Sequence, residues 1–226
     1  MACAVLAAAG SWTGRVHAQI PPAPEQTVDG AALAAALAAE INFARTQPAA
    51  YAQSLKAYRT EFHGKIVRRP GEARRIRTDE GVAAVDEAMV FLSHQTALPA
   101  LEPNPVLEQS AGDHVREQGA SGLVGHFSVD GANLGDRIDR YGEWIGTVAE
   151  DIGYGYTTGV EVARQLIVDD GVFDRGHRKA IFNPELRQFG VVCGPHKTYV
   201  MMCVIDFGSA VRPKASEPPR EAGAEP

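Results

Sequence analysis

Two histidines at the edges of glycine-containing turns are the residues best suited to chemistry. His126 stands in Gly125-His126-Phe127-Ser128-Val129-Asp130-Gly131. His177 stands in Asp169-Asp170-Gly171-Val172-Phe173-Asp174-Arg175-Gly176-His177-Arg178. Between them lies Ala149-Glu150-Asp151-Ile152-Gly153-Tyr154-Gly155. Two imidazoles and two or three carboxylates, all at short polar breaks between apolar stretches, are expected to share one cleft. Neutral imidazole nitrogens are good zinc ligands, and carboxylates complete or orient the shell. The same groups can move protons. They can also form a charged hydrogen-bond cluster that only holds loops together, because buried charges need partners.

The elements that must position these residues follow from apolar spacing and caps. Asp29 can cap a helix over 30–45, with Leu33, Ala36, Leu37, Ile41 and Ala44 on one face. A second helix follows Thr46, with Pro48 in its first turn and Tyr51, Leu55 and Tyr58 along it. Residues 61–77 are polar and broken and read as a long loop. A helix over 81–95, preceded by Thr78 and Asp79, carries Val82, Val85, Met89 and Leu92. Asn104 caps a helix from Pro105 to Gly119, within which His114 reads as structural. Asn133 caps a short helix to Tyr141, and 144–152 read as a strand ending near Glu150. The capping-box pattern Thr158-Gly159-Val160-Glu161 opens a helix to Val168, which Asp169-Asp170-Gly171 ends. Strand-like runs at 189–193 and 199–207 close the chain, joined by Gly194-Pro195-His196-Lys197. Helices first and strands last predict an α+β fold, with helices packed around a mostly antiparallel sheet.

Length and composition narrow the rest. The chain's 226 residues suit one domain with tails. A net charge of −6 argues against general nucleic-acid binding. The one basic cluster, Lys65, Arg68, Arg69, Arg74, Arg75 and Arg77, reads as a solvated loop, with an anionic ligand or membrane surface as the alternative. No apolar run approaches the ~20 residues of a spanning helix. Residues 1–18 read as a signal peptide with Val16-His17-Ala18 at the cleavage site. Its apolar run is short and it lacks a basic start, as a truncated signal would. Residues 19–29 are a proline-containing linker, 30–210 the folded domain and 211–226 a disordered tail. Removal of Cys3 with the signal leaves Cys193 and Cys203, an even pair that an oxidising compartment can join across neighbouring strands. Two buried free thiols are the alternative.

At these residues the chain resembles the CAP superfamily of cysteine-rich secretory proteins, antigen five and pathogenesis-related proteins, in its bacterial form. Ile41-Asn42-Phe43-Ala44-Arg45 with Pro48 resembles the family's opening helix. Gly125-His126-Phe127-Ser128 with Asp130-Gly131 resembles the first histidine motif, and Arg175-Gly176-His177-Arg178 with Phe182-Asn183-Pro184 the second. Ala149-Glu150-Asp151-Ile152 stands where the family has Gly-Glu-Asn, and Phe189-Gly190-Val191 starts the closing strands. The resemblance spans roughly 31–208. It implies an α-β-α sandwich and a cleft tetrad of His126, Glu150, Asp169 and His177. Asp170 is the alternative to Asp169 as the second acid. Asp151 in place of the usual Asn is expected to add negative charge beside Glu150. The 61–99 region is longer than in compact members, and no family function is carried onto it.

The resemblance favours His126 and His177 as ligands of zinc or another divalent cation. Glu150 and Asp169 would then orient the rings from behind. Two strong protein ligands leave the remaining positions to water and predict modest affinity. Binding should weaken as pH falls through the histidine range, since ligating imidazoles must be neutral. The leading expectation is an exported, non-catalytic binding module for a lipid, a peptide or a partner protein. A metal-dependent hydrolase with Glu150 as base is the second reading, and a structural or envelope-associated interaction protein the third. The sequence has no His-Glu-x-x-His or Gly-x-Ser-x-Gly motif. Ser128, two residues from His126 in a turn, is poorly placed as a nucleophile. Gly153-x-Gly155 lacks both the spacing and the βαβ setting of a nucleotide loop.

Overall fold

The computed structural model describes residues 28–69, 71 and 75–214. The expected signal segment, most of the linker and the tail beyond Lys214 lie outside the described residues. Helix α1 (Gly30–Thr46) begins where Asp29 accepts hydrogen bonds from the Ala31 and Ala32 amides, at 2.9 and 3.2 Å. It buries Leu33, Leu37, Ile41 and Ala44, one stripe at helical spacing. Helix α2 (Pro48–Arg59) has its proline in the first turn, where no amide is needed.

The segment expected to be a long loop contains a small antiparallel sheet, β1 (Phe62–His63), β2 (Ile66–Arg68) and β3 (Arg75–Arg77). Its strands are too short for an alternating pattern to stand out among charged residues. Only Val67 is fully buried, and it anchors the sheet to the core. Helix α3 (Val82–His94) follows Gly81 and has no side-chain cap. Thr78 instead donates to the Lys65 carbonyl.

The short β4 (Glu102–Pro103) leads to α4 (Pro105–Ser121), whose first free amides are bonded by the Asn104 side chain. Helix α5 (Leu134–Tyr141) opens with a capping box between Asn133 and Asp136. Then come β5 (Gly142–Tyr154), α6 (Gly159–Val168), α7 (Gly176–Ile181), β6 (Gln188–His196) and β7 (Val200–Pro213). The main sheet has the order β4-β6-β7-β5. It is antiparallel except where β4 runs parallel to β6. The last strand runs through Pro213, so residues 211–213 belong to the domain and not to a tail. Val211 is buried against Val106, Leu107 and Ile138.

Helices cover both faces of this sheet. On one face Ile152, Met202 and Val204 pack against Ala111 and Val115 of α4. Gly190 permits the approach, since a Cβ there would stand 2.1 Å from the Glu108 nitrogen. On the other face Phe189, Cys193, Cys203, Ile205 and Phe207 join the large core built with α1, α2, α3 and α6. Gly159 lets α6 cross α1, its absent Cβ lying 2.4 Å from the Ala36 carbonyl carbon. The arrangement is the expected α-β-α sandwich. Cys193 and Cys203 are register partners and form a disulfide. β5 is outermost, and its pairing with β7 shifts register between Ile145 and Val148, with Gly146 at φ +87°.

Candidate functional site

Side chains alternate across a strand, so Glu150 and Asp151 point to opposite faces of β5. Glu150 serves His126, and Asp151 lies toward Asp169 without bonding a histidine. Glu150 lies on the α4–α5 face. Its Oε1 accepts a 2.8 Å hydrogen bond from Nδ1–H of His126, and its Oε2 pairs with Arg137 of α5. Arg137 is fully buried and also donates to the His126 carbonyl at 3.1 Å. One guanidinium therefore fixes both the carboxylate and the backbone of the histidine it serves. The preceding residue is held as firmly. The Gly125 carbonyl accepts from Nε2 of His114 at 2.9 Å and from Gln118 at 2.7 Å, and the Gly125 amide donates to the Tyr154 hydroxyl. His114 is buried and structural, as its place inside α4 predicted. Burial opposes Glu150 ionisation, but the His126 hydrogen bond and the Arg137 charge overcome it, leaving the pKa below its ordinary value.

The second pair lies at the end of α6, which packs on the other face. Asp169 ends that helix in the left-handed conformation, at φ 58°. Its Oδ1 accepts a 2.6 Å hydrogen bond from Nδ1–H of His177. Its Oδ2 accepts from the His177 and Arg178 amides at 3.0 and 3.3 Å. Asp170 turns away and takes the amides of Asp79 and Glu80 at 2.6 and 2.8 Å. The acid facing His177 is thus Asp169. Glu80 completes a brace to α3 by accepting from the Gly171 amide and pairing with Arg175. Glu87 pairs with Arg175 and Arg178. The Arg175 bonds hold Glu80 down at about 2.

Both pairs stand at the outermost strand, reached from opposite faces. They line different depressions. His126 and Glu150 line an open one of about 460 Å³ with Phe127, Leu134 and Trp144. Asp169 and His177 line another of about 280 Å³ between α2, β3 and α6. Among the described residues no group of three or more His, Cys, Asp or Glu side chains is placed to hold an ion. The donors on offer are the two Nε2 atoms, which have no hydrogen-bond partner among the described residues.

The extra charge expected beside Glu150 is absent from that face. Asp151 points the other way and is buried. Burial first, then the charges of Asp169 and Glu150, push its carboxyl well above the usual range and favour the neutral acid. Sequence reasoning missed Arg137 and Asp206. Asp206 is the register partner of Glu150 on β7 and is fully buried. Burial and the Glu150 charge raise its pKa strongly. A charged residue in the apolar run 201–207 was the available signal, since such a residue has to be neutralised or paired.

Residues 57–207 match the cysteine-rich secretory protein family, CAP. The chain belongs to this family. Three solved CAP-type or surface proteins are similar to it at low identity. An outer surface protein of Borrelia burgdorferi is 20% identical, with a TM-score of 0.43, over 49% of this chain and 78% of that one. An extracellular protein of Bacillus anthracis containing an SCP domain is 20% identical, with a TM-score of 0.41, over 54% of this chain and 37% of that one. A cysteine-rich secretory protein of Staphylococcus aureus is 18% identical, with a TM-score of 0.38, over 57% and 38%. The chain thus spans well under half of the latter two. No curated protein matches it at a significant level. Among the described residues of this CAP domain, no helix is long and apolar enough to cross a membrane.

Proposed function

We propose that this CAP domain is an exported binding module without turnover, whose histidines take a divalent cation, zinc foremost. The cation would help engage a lipid, a peptide or a partner protein. The observation that carries the reading is the carboxylate on Nδ1 of each ring, Glu150 for His126 and Asp169 for His177. A carboxylate in that position fixes the tautomer, orients Nε2 outward and raises its basicity, as in carboxylate–histidine–zinc arrangements. The two rings line separate depressions, so each offers one imidazole donor, and a cation there would be held weakly with water in most positions. The disulfide supports export, since such bonds persist in oxidising compartments.

The hydrolase reading needs Glu150 as a free base. Both Glu150 oxygens are engaged and its side chain is 3% exposed, so it suits orientation better than proton transfer.

Calorimetric titration of zinc near neutral pH tests the proposal. Wild type is expected to bind zinc, the His126→Ala/His177→Ala double variant none, and Glu150→Gln ~10–100-fold more weakly at His126. Unchanged binding in the double variant, or none in folded wild type, would leave the two pairs as braces for loops. Hydrolysis of a substrate that Glu150→Gln abolished without unfolding would replace the binding-only reading.

A further inference from the structure

The depression beside His177 is walled by the segment that the family resemblance left without a role. Strand β3 forms one side and α2 and α6 the others. At about 280 Å³ it is near the lower end of small-molecule pockets, ~300–1,000 Å³.

Its hydrogen-bonding capacity is unevenly used. The acids are mostly spent internally. Asp169 holds His177, Asp170 holds the Asp79 and Glu80 amides, and Glu161 is bound by Arg69 and Thr158. Arg69 is likewise engaged by Glu161 and Glu61, but two other lining cations are not. Arg164 stacks its guanidinium over the Tyr58 ring at 3.8 Å, yet makes no hydrogen bond or ion pair among the described residues. Arg77 is exposed and equally unpaired. The Gln165 Oε1 is buried with no partner, and rotation of that amide can present a donor instead. Among the described residues Asp79 is the one lining acid without a partner for its carboxylate. Tyr156, Ile76 and Leu166 supply an apolar side.

We propose that this pocket binds a small organic anion, a carboxylate or a phosphate monoester on an apolar body. Arg77 and Arg164 hold the charged group, and the ring or chain lies against Tyr156 and Ile76. Guanidinium suits both headgroups because its planar fork can donate two parallel bonds. The site does not depend on a metal at the histidines.

The test uses the full chain in EDTA, with phenyl phosphate and benzoate titrated separately by calorimetry and inorganic phosphate as the headgroup alone. Saturable one-to-one binding of phenyl phosphate or benzoate is expected, with the tighter of the two identifying the headgroup. Inorganic phosphate should bind more weakly. Arg77→Ala, whose side chain makes no hydrogen bond or ion pair among the described residues, should weaken binding about tenfold. Arg164→Gln should do the same, and Asp79→Asn should tighten it. The His126→Ala variant, whose ring lines the other depression, should bind as wild type does in EDTA, which separates this pocket from the metal reading. If Arg164→Gln fails to fold, Arg77→Ala and Asp79→Asn decide the matter. Absence of saturable binding, or affinity unchanged in Arg77→Ala, overturns the proposal.

Discussion

The two imidazole–carboxylate pairs make the same hydrogen bond and are built in different ways. At His126 the permanence lies in the partners. Glu150 and Arg137 are buried at 3% and 0% side-chain exposure, while the ring itself is 56% exposed. At His177 it lies in the backbone. Asp169 bonds the ring and two amides at the start of α7, and the whole turn is clamped to the segment before α3 by Asp170 and Arg175 and to α3 itself by Arg175 and Arg178. The His177 ring is 25% exposed. The first histidine stands on a buried ion pair between α5 and the adjoining strand β5. The second depends on contacts between segments about ninety residues apart. A shared chemical motif therefore does not imply a shared response to mutation.

Arg137→Ala should have the largest effect. It leaves Glu150 buried without its cation, at a cost of roughly 3–5 kcal/mol in urea unfolding. His126 should lose its fixed position while His177 keeps its NMR shifts. Equal disturbance at both rings would break the contrast. Reduction of Cys193–Cys203 should cost about 3 kcal/mol on the chain-entropy model for so short a loop, and should leave both imidazole signals in place. Asp169→Asn retains a residue tolerant of positive φ but weakens charge-assisted bonds, so a loss of about 1.5–3 kcal/mol confined to the His177 turn is expected.

The smallest effect is a pH dependence of opposite sign on the two faces of β5. Glu150 is depressed, so the stability it contributes is present above the ordinary glutamate range and lost as pH falls below it. Asp151 is raised, so its contribution is present at low pH and lost as pH climbs above the ordinary aspartate range. Asp151→Asn should flatten that decline and raise the melting temperature at pH 7, by an amount equivalent to within about 1 kcal/mol. A steeper decline in Asp151→Asn would show that the carboxyl is ionised in the fold.

Caps and apolar stripes made the helices legible. Asp29, Asn104, Asn133 and Thr158 each bond the amides that local sequence predicted. The histidines and their acids were legible because they interrupt apolar runs with residues that need partners. What escaped was set by contacts distant in sequence. The β1–β3 sheet depends on Val67 meeting the core. Arg137 looks like any polar helical residue until α5 docks on β5. Arg45, fully buried, donates to the carbonyls of Pro99, Ile181, Asn183 and Leu186, and nothing in α1 foretells those acceptors. Assigning Asp151 to one side of the site failed for a simpler reason. A one-residue step along a strand changes the face, and sequence adjacency conceals this.

An outermost strand thirteen residues long offers a row of backbone groups on which a second molecule can template, the first step toward fibrils. In β5 the shift at Gly146 interrupts that row midway and bends the strand there. The ladder is broken just before the residues that hold Glu150. Such an irregularity works against edge-to-edge pairing along the strand beside which both histidine pairs stand.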